Sequence, residues 1–308
     1  MRPKEKAITR PPRGLVRKAG PYLLLSLAAL CWAGNVVLAQ GVADLIPPVA
    51  FAFWRWILAF ALVLPFTLRQ LVRDRGAIAR HWKMLLLLSV LGIAGFNALL
   101  YTAVHTTSAI NAALIQSAMP AVIVLFSLLL YRQKVLPRQI AGVLLCIVGV
   151  GLIVLLGDLR TLLAMSFVRG DLLMIVAVLL YGLYSALLRR RPAVHPLSFL
   201  SATFCLGAAA LLPVYLAELA TTGAFAINRD IALSILYVAI FPSIVAYFCW
   251  NKGVDLVGPN HAGLFINLIP VFASLLSVWL LGESIHTYHL GGMGLIAGGM
   301  VLFYFSRA

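Results

Sequence analysis

Charge is what this sequence has least of. Only 11% of its 308 residues are Asp, Glu, Lys or Arg, less than half the roughly 25% of an ordinary soluble domain. Acids are the scarcest: nine Asp and Glu stand against 24 Lys and Arg, a net charge of +15. With 63% hydrophobic residues and a mean hydropathy of +1.02, too little polar surface remains to solvate a globule, which excludes a soluble enzyme. Cysteine is also sparse. Cys31, Cys146, Cys205 and Cys249 fall in separate apolar runs, with neither the C-x-x-C spacing of a zinc site nor the density of a disulfide framework, so they read as inert buried thiols. Paired acids, a histidine cluster and a Ser/His arrangement are missing from the apolar runs. That argues against an intramembrane enzyme, and neither a metal nor a cofactor is expected. Nucleic acid is not an expected partner either, since that needs basic charge gathered on one solvated face.

What the sequence has is long apolar stretches. Ten runs of about 20 residues stand near 21–40, 48–67, 84–104, 109–130, 139–156, 171–188, 197–217, 231–251, 260–281 and 288–305, each long enough to cross about 30 Å of hydrocarbon as a helix. They are continuously apolar, unlike the alternating segments of membrane strands. The expected fold class is an all-α integral membrane protein with ten transmembrane helices. Lys and Arg are divided unevenly between the connections: 20 fall in the leading tail, alternate loops and the end, and only Arg160, Arg169 and Arg229 in the opposite loops. The positive-inside rule then puts both termini in the cytoplasm, with residues 1–20 as a basic tail able to touch anionic lipid. The tail and first run also have the layout of a signal peptide, but cleavage would leave nine helices and break the parity of the charge pattern.

An offset of 150 residues matches Ala112 with Ala262, Pro120 with Pro270, Gly142 with Gly292 and Gly149 with Gly299. An offset of 148 adds Pro48 with Pro196 and Pro65 with Pro213. The chain therefore reads as two five-helix halves. Five is odd, so the halves enter the membrane from opposite sides, which makes them inverted repeats of the kind found in alternating-access transporters.

At this point the residues resemble a known family. Leu30-Cys31-Trp32-Ala33-Gly34-Asn35, then Pro48 and Phe53-Trp54-Arg55-Trp56, and Ala262 to Pro270 running into Leu281-Gly282-Glu283 look like EamA domains. Residues 21–156 and 171–305 would be two such domains, as in ten-helix exporters of the drug/metabolite transporter superfamily. The resemblance implies a plasma-membrane carrier, monomer or homodimer, that moves amino acids or other small polar or amphipathic metabolites, mostly outward. An uptake or exchange carrier is the alternative. The first half departs from the pattern: Arg132-Gln133-Lys134 stands where such domains usually place an acid like Glu283.

Candidate substrate-binding residues come from polar side chains inside spans. Asn97 and Tyr101 are four apart and share a helix face, as do Ser243, Tyr247 and Asn251. The 150-residue offset pairs Asn97 with Tyr247 and Tyr101 with Asn251, so the halves present the same chemistry in exchanged order, suited to one central site lined from both. The same groups also serve as packing glue between membrane helices. Trp32, Asn35, Asn111, Gln116, Tyr181, Tyr184, His261 and Asn267 are secondary candidates. Arg55 is the one formal charge well inside a span, where an unpaired Arg costs about 2.5–3.5 kcal/mol even on insertion scales. Its partner is either a substrate carboxylate or a backbone carbonyl, with Trp54 and Trp56 shielding the guanidinium. Because the resemblance places the second helix at the periphery of each half, the structural role is the expected one. Pro120 and Pro270 each remove a helical hydrogen bond, to Gln116 and Ile266, and are expected hinges. Gly291, Gly292, Gly294, Gly298 and Gly299 are expected to admit a close helix neighbour. His286 and His289 stand beside Glu283 but are not expected to bind metal; Glu283 is expected to stabilise the start of the last helix. With no acid at mid-membrane, transport is expected to be independent of an intramembrane carboxylate.

Overall fold

The computed structural model describes residues 15–305 apart from 43, 108, 134, 159, 161–167 and 282–284. Most of the basic tail and the capping role expected of Glu283 lie outside the described residues. Among the described residues every regular element is helical, and nine helices are long and apolar enough to cross a membrane. They are α1 (Leu15–Gly41), α2 (Pro48–Arg80), α3 (Trp82–Val104), α4 (Asn111–Tyr131), α5 (Pro137–Val154), α6 (Arg169–Arg190), α7 (Pro196–Thr222), α8 (Arg229–Val257) and α9 (Pro259–Leu276). α10 (Thr287–Tyr304) follows. It is as long as α5, but five glycines and His289 lower its hydropathy.

Proline opens four of the helices, at Pro48, Pro137, Pro196 and Pro259, where its missing N–H breaks no bond. α8 stops at Gly258, whose φ of +83° suits glycine and few other residues, and α9 begins at the next residue. α2 and α7 pack along one another and cap each other's starts. Glu218, late in α7, accepts the Val49 and Ala50 N–H groups at 3.0 and 2.7 Å, and Asp74, late in α2, accepts the His195 N–H at 2.8 Å. Each carboxylate meets N–H groups that no helical carbonyl reaches, at the positive end of the helix dipole. Glu218→Ala is expected to cost about 1 kcal/mol, the usual worth of a cap, read as a lower melting temperature in detergent. An unchanged melting temperature would mean that these bonds carry no stability.

α5 and α10 form the closest pairing. A Cβ on Gly142 would sit 2.6 Å from the Gly299 carbonyl, and one on Gly149 would sit 2.7 Å from the Gly292 carbonyl. Hydrogen at these positions lets two backbones touch, where dispersion and Cα–H contacts hold membrane helices together. Not all five α10 glycines serve this contact: Gly294 faces open space.

Four helices depart from α geometry within the span, in matched places. α3 and α8 each contain a π-helical stretch, Val90–Gly95 and Ile240–Val245, 150 residues apart. α4 is interrupted between Ser117 and Met119, and α9 tightens into a 3₁₀ turn at Leu264–Asn267. These last two lie just before Pro120 and Pro270, where the proline ring takes away the bond to the carbonyl four residues back. Widened and broken turns leave carbonyls to be satisfied by side chains, which a membrane interior tolerates only where such donors exist.

Candidate functional site

The donors are supplied at the two π-helical stretches. Arg55, 1% exposed, reaches from α2 into the junction of α1, α3 and α8. Its Nε donates to Ser243 Oγ (2.6 Å), its Nη1 to Asn97 Oδ1 (2.9 Å) and Tyr101 Oη (2.7 Å), and its Nη2 to the Pro242 carbonyl (2.9 Å). The Trp32 indole N–H shares that carbonyl at 3.1 Å. In the other π-helical stretch the Ile93 carbonyl accepts from Asn97 Nδ2 at 2.9 Å, and the Gly92 carbonyl accepts from the Tyr247 hydroxyl. Tyr101 donates onward to Asn35 Oδ1 at 2.9 Å, and Asn97 Nδ2 also approaches Tyr247 Oη at 3.4 Å. A single network thus joins α1, α2 and α3 to α8.

The network floors a cavity. About 330 Å³ of space lies between α1, α3, α4, α5, α6, α9 and α10, with Asn35, Tyr101, Gln116, Ser117, Asn267 and His289 among its polar lining. Its wall reaches Leu156, 59% exposed beyond the end of α5. Beneath it, sharing Asn35, Gln116 and Ile266, is a recess of about 30 Å³ faced by Trp32, Arg55, Asn97, Tyr181 and Tyr247. The walls are mostly apolar with a few placed polar groups, the usual character of a small-molecule site.

Two expectations need correcting. Arg55 is not peripheral: it stands at the junction of four helices, because the released Pro242 carbonyl and the Asn97, Tyr101 and Ser243 oxygens together offset the cost of burying it. Nor do both tryptophans shield it. The Trp56 ring centroid lies 4.7 Å from Cζ, whereas Trp54 is 36% exposed and packs on Phe53 and Tyr215. Of the four mirrored residues, Asn97, Tyr101 and Tyr247 meet around Arg55, while Asn251 turns to Tyr184 Oη at 2.7 Å, and neither of that pair lines the cavity. His261 stands edge-on to Phe303 at 5.3 Å, also away from it. Trp32, Asn35, Tyr181, Gln116 and Asn267 all line one space or the other, and Pro270 borders the larger.

Sequence reasoning missed Asp171. This carboxylate, 1% exposed in the first turn of α6, accepts both oxygens' worth of Asn111 Nδ2 (3.0 Å each), the Thr107 hydroxyl and the Val168 N–H at 2.8 Å. It ties the start of α4 to the start of α6, so Asn111 is a strut and not a cavity residue. The available signal was a lone acid at the edge of an apolar run, where burial demands donors.

The sequence pattern of the EamA-like transporter family matches residues 20–155 and again residues 168–305. The chain belongs to that family. An uncharacterized transporter of Bacillus subtilis (strain 168), YyaM, is 26% identical to it over 281 residues, covering 91% of this chain and 92% of YyaM. An uncharacterized transporter of Archaeoglobus fulgidus is 28% identical, covering 90% and 95%. The inner membrane protein YtfF of Escherichia coli (strain K12) is 27% identical, covering 90% and 92%. A solved crystal structure superposes with a TM-score of 0.75 at 21% identity over 92% of this chain and 96% of that one, which speaks for the fold alone. As an EamA-like protein with nine apolar helices of spanning length among its described residues, this chain is a multi-pass membrane transporter.

Proposed function

We propose that the protein carries amino acids or other small polar or amphipathic metabolites outward across the plasma membrane by alternating access. The observation that carries this reading is the 330 Å³ cavity at the junction of the two family repeats, floored by polar groups drawn from both. Its wall includes the end of α5 at Val154 and Leu156 and the start of α10 at His289, beside the loops that hold only Arg160, Arg169 and Arg229. By the positive-inside rule that side is outside, so the cavity is an outward-facing one.

Ten spans and an inverted repeat belong to the same reading. Glycines matched at the 150-residue offset meet crosswise, Gly142 on Gly299 and Gly149 on Gly292, as a two-fold axis across an antiparallel pair requires. Asn97 touches its own counterpart Tyr247, and Cys146 Sγ reaches the carbonyl of its counterpart Ile296 at 3.5 Å. The Tyr101–Asn35 bond beside the cavity has a mirror in Asn251–Tyr184, on the opposite side of that axis. There the halves meet, with the Arg189 and Arg190 guanidiniums of the second repeat on the Tyr131 ring of the first. Exchanging the two arrangements opens the cytoplasmic side. Pro120 and Pro270, at the breaks in α4 and α9, are the proposed hinges, and no step uses a mid-membrane acid.

Reconstituted into liposomes, the protein is expected to give saturable counterflow of at least one amino acid or related metabolite in a radiolabelled panel. A fluorescent reporter fused after Ala308 is expected to mature, as it does only in the cytoplasm. Absence of saturable flux for the whole panel, or a reporter active only outside the cytoplasm, contradicts the reading.

A further inference from the structure

The Arg55 guanidinium is a buried positive charge with no negative partner. Among the described residues no Asp or Glu oxygen lies within 4.0 Å of it. Its bonds go to a hydroxyl, an amide, a phenol and a carbonyl, which use four of its five N–H groups. Neutral dipoles hold the charge but do not cancel it, and its field acts through surroundings of low dielectric constant. That field falls on the 30 Å³ recess, because Arg55 lines it.

A second, independent observation lies in the same recess. Tyr181, 2% exposed, has a buried hydroxyl without a hydrogen-bond partner among the described residues, and it faces the recess together with Arg55. A buried hydroxyl that no protein group meets is costly and stands out in a folded protein. In the larger cavity, Asn267, 1% exposed, is likewise unmatched beyond the neighbouring Cys146 thiol. The rest of that wall is chiefly aliphatic, and no Asp or Glu lines either space. At ~30 Å³ per water, the recess has room for about one oxygen-sized group and the cavity for a body of about ten non-hydrogen atoms.

We propose that the site takes small carboxylates with an apolar body. One carboxylate oxygen sits in the recess against the spare Arg55 Nη2 hydrogen and the Tyr181 hydroxyl, and the rest of the molecule fills the wider cavity. Ionised oxygens bind such donors about twice as strongly as neutral ones. A neutral molecule of the same shape gains little from the charge, and an amine meets a cation with no acid to offset it. This inference rests on reading the cavity as the transport site.

Two matched triplets test it on the purified full-length protein: 3-phenylpropionate, its amide and 3-phenylpropylamine, and 4-methylpentanoate with its amide and amine. Equilibrium binding is expected to favour the carboxylate over the amide by about tenfold or more, the worth of a hydrogen bond to a charged group, with the amine weakest. Arg55→Gln is expected to bring the ratio to about one. Asn97→Asp supplies a carboxylate against Nη1 and cancels the charge while keeping the guanidinium, so it is expected to erase the preference even where Arg55→Gln folds poorly. Equal binding of carboxylate and amide overturns the inference while leaving the transport reading intact, as does a preference that survives Asn97→Asp. No binding of any of the six compounds at millimolar concentration also overturns it. A carboxylate preference that persists when the cavity is filled by Ala113→Trp would place the binding elsewhere and remove both readings.

Discussion

Gly299→Leu is expected to yield little folded protein. A Cβ at that position would lie 2.5 Å from the Gly142 carbonyl oxygen, 2.6 Å from Cys146 Sγ and 3.0 Å from the Cys146 nitrogen. Two of the three neighbours are backbone atoms, which cannot swing aside as a side chain can. Only a separation of α5 from α10 would relieve the clash, and that forfeits the packing along the most extensive helix contact among the described residues. The cost belongs at the upper end of overpacking, about 3 kcal/mol or more. Gly294→Ala is the control. Nothing lies within 4 Å of its Cβ, so the added methyl meets no clash and removes a helix-interior glycine, a gain of up to about 1 kcal/mol. Yield of monodisperse protein on size exclusion and the melting temperature of each variant check the pair. A Gly299→Leu protein that melts with the wild type would mean that the two backbones do not touch.

Filling the cavity is the second change with a large expected effect. Ala113 lines the 330 Å³ space from α4, and an indole there occupies much of the volume that a substrate body needs. Most of the wall is apolar, so the ring buries more hydrocarbon, and folding is expected to be retained. Counterflow in liposomes is expected to fall to background for Ala113→Trp while its melting temperature stays near the wild-type value. Full flux in that variant would show that substrate passes elsewhere. Ala273→Trp, on the facing wall from α9, is expected to behave in the same way.

The helices were legible because each apolar run is long and continuous, and the pairing of halves because proline and glycine recur at one offset. Those residues recur for a reason visible in the fold. Pro120 and Pro270 follow breaks in α4 and α9, and Gly142, Gly149, Gly292 and Gly299 are where two backbones meet. The π-helical stretches were not legible, since Val90–Gly95 and Ile240–Val245 have no shared composition that announces an extra residue per turn. Without them the carbonyls of Gly92, Ile93 and Pro242 have no reason to be free, and Arg55 has no reason to sit among them. That is why polar spacing on α3 and α8 found Asn97, Tyr101 and Tyr247, yet left Arg55 outside the group it organises. Asn251 illustrates the opposite limit. Its four-residue spacing from Tyr247 was sound, but one helical turn, about 6 Å, carries it out of the cavity and onto Tyr184. Asp171 escaped notice because its donors, Thr107 and Asn111, are 64 and 60 positions away and become neighbours only in the fold.

The proposed transport cavity opens outward and is closed toward the cytoplasm. A protein freed of Cys31, Cys146, Cys205 and Cys249, with a single Ser274→Cys on the cavity wall of α9, tests this directly. The exposed Leu156→Cys at the mouth serves as a reference for reagent access. A membrane-impermeant thiol reagent is expected to label Ser274→Cys in intact cells and to leave it unlabelled in inside-out vesicles. Labelling only from the cytoplasmic face, or from neither face while Leu156→Cys reacts, would contradict an outward-facing transport cavity.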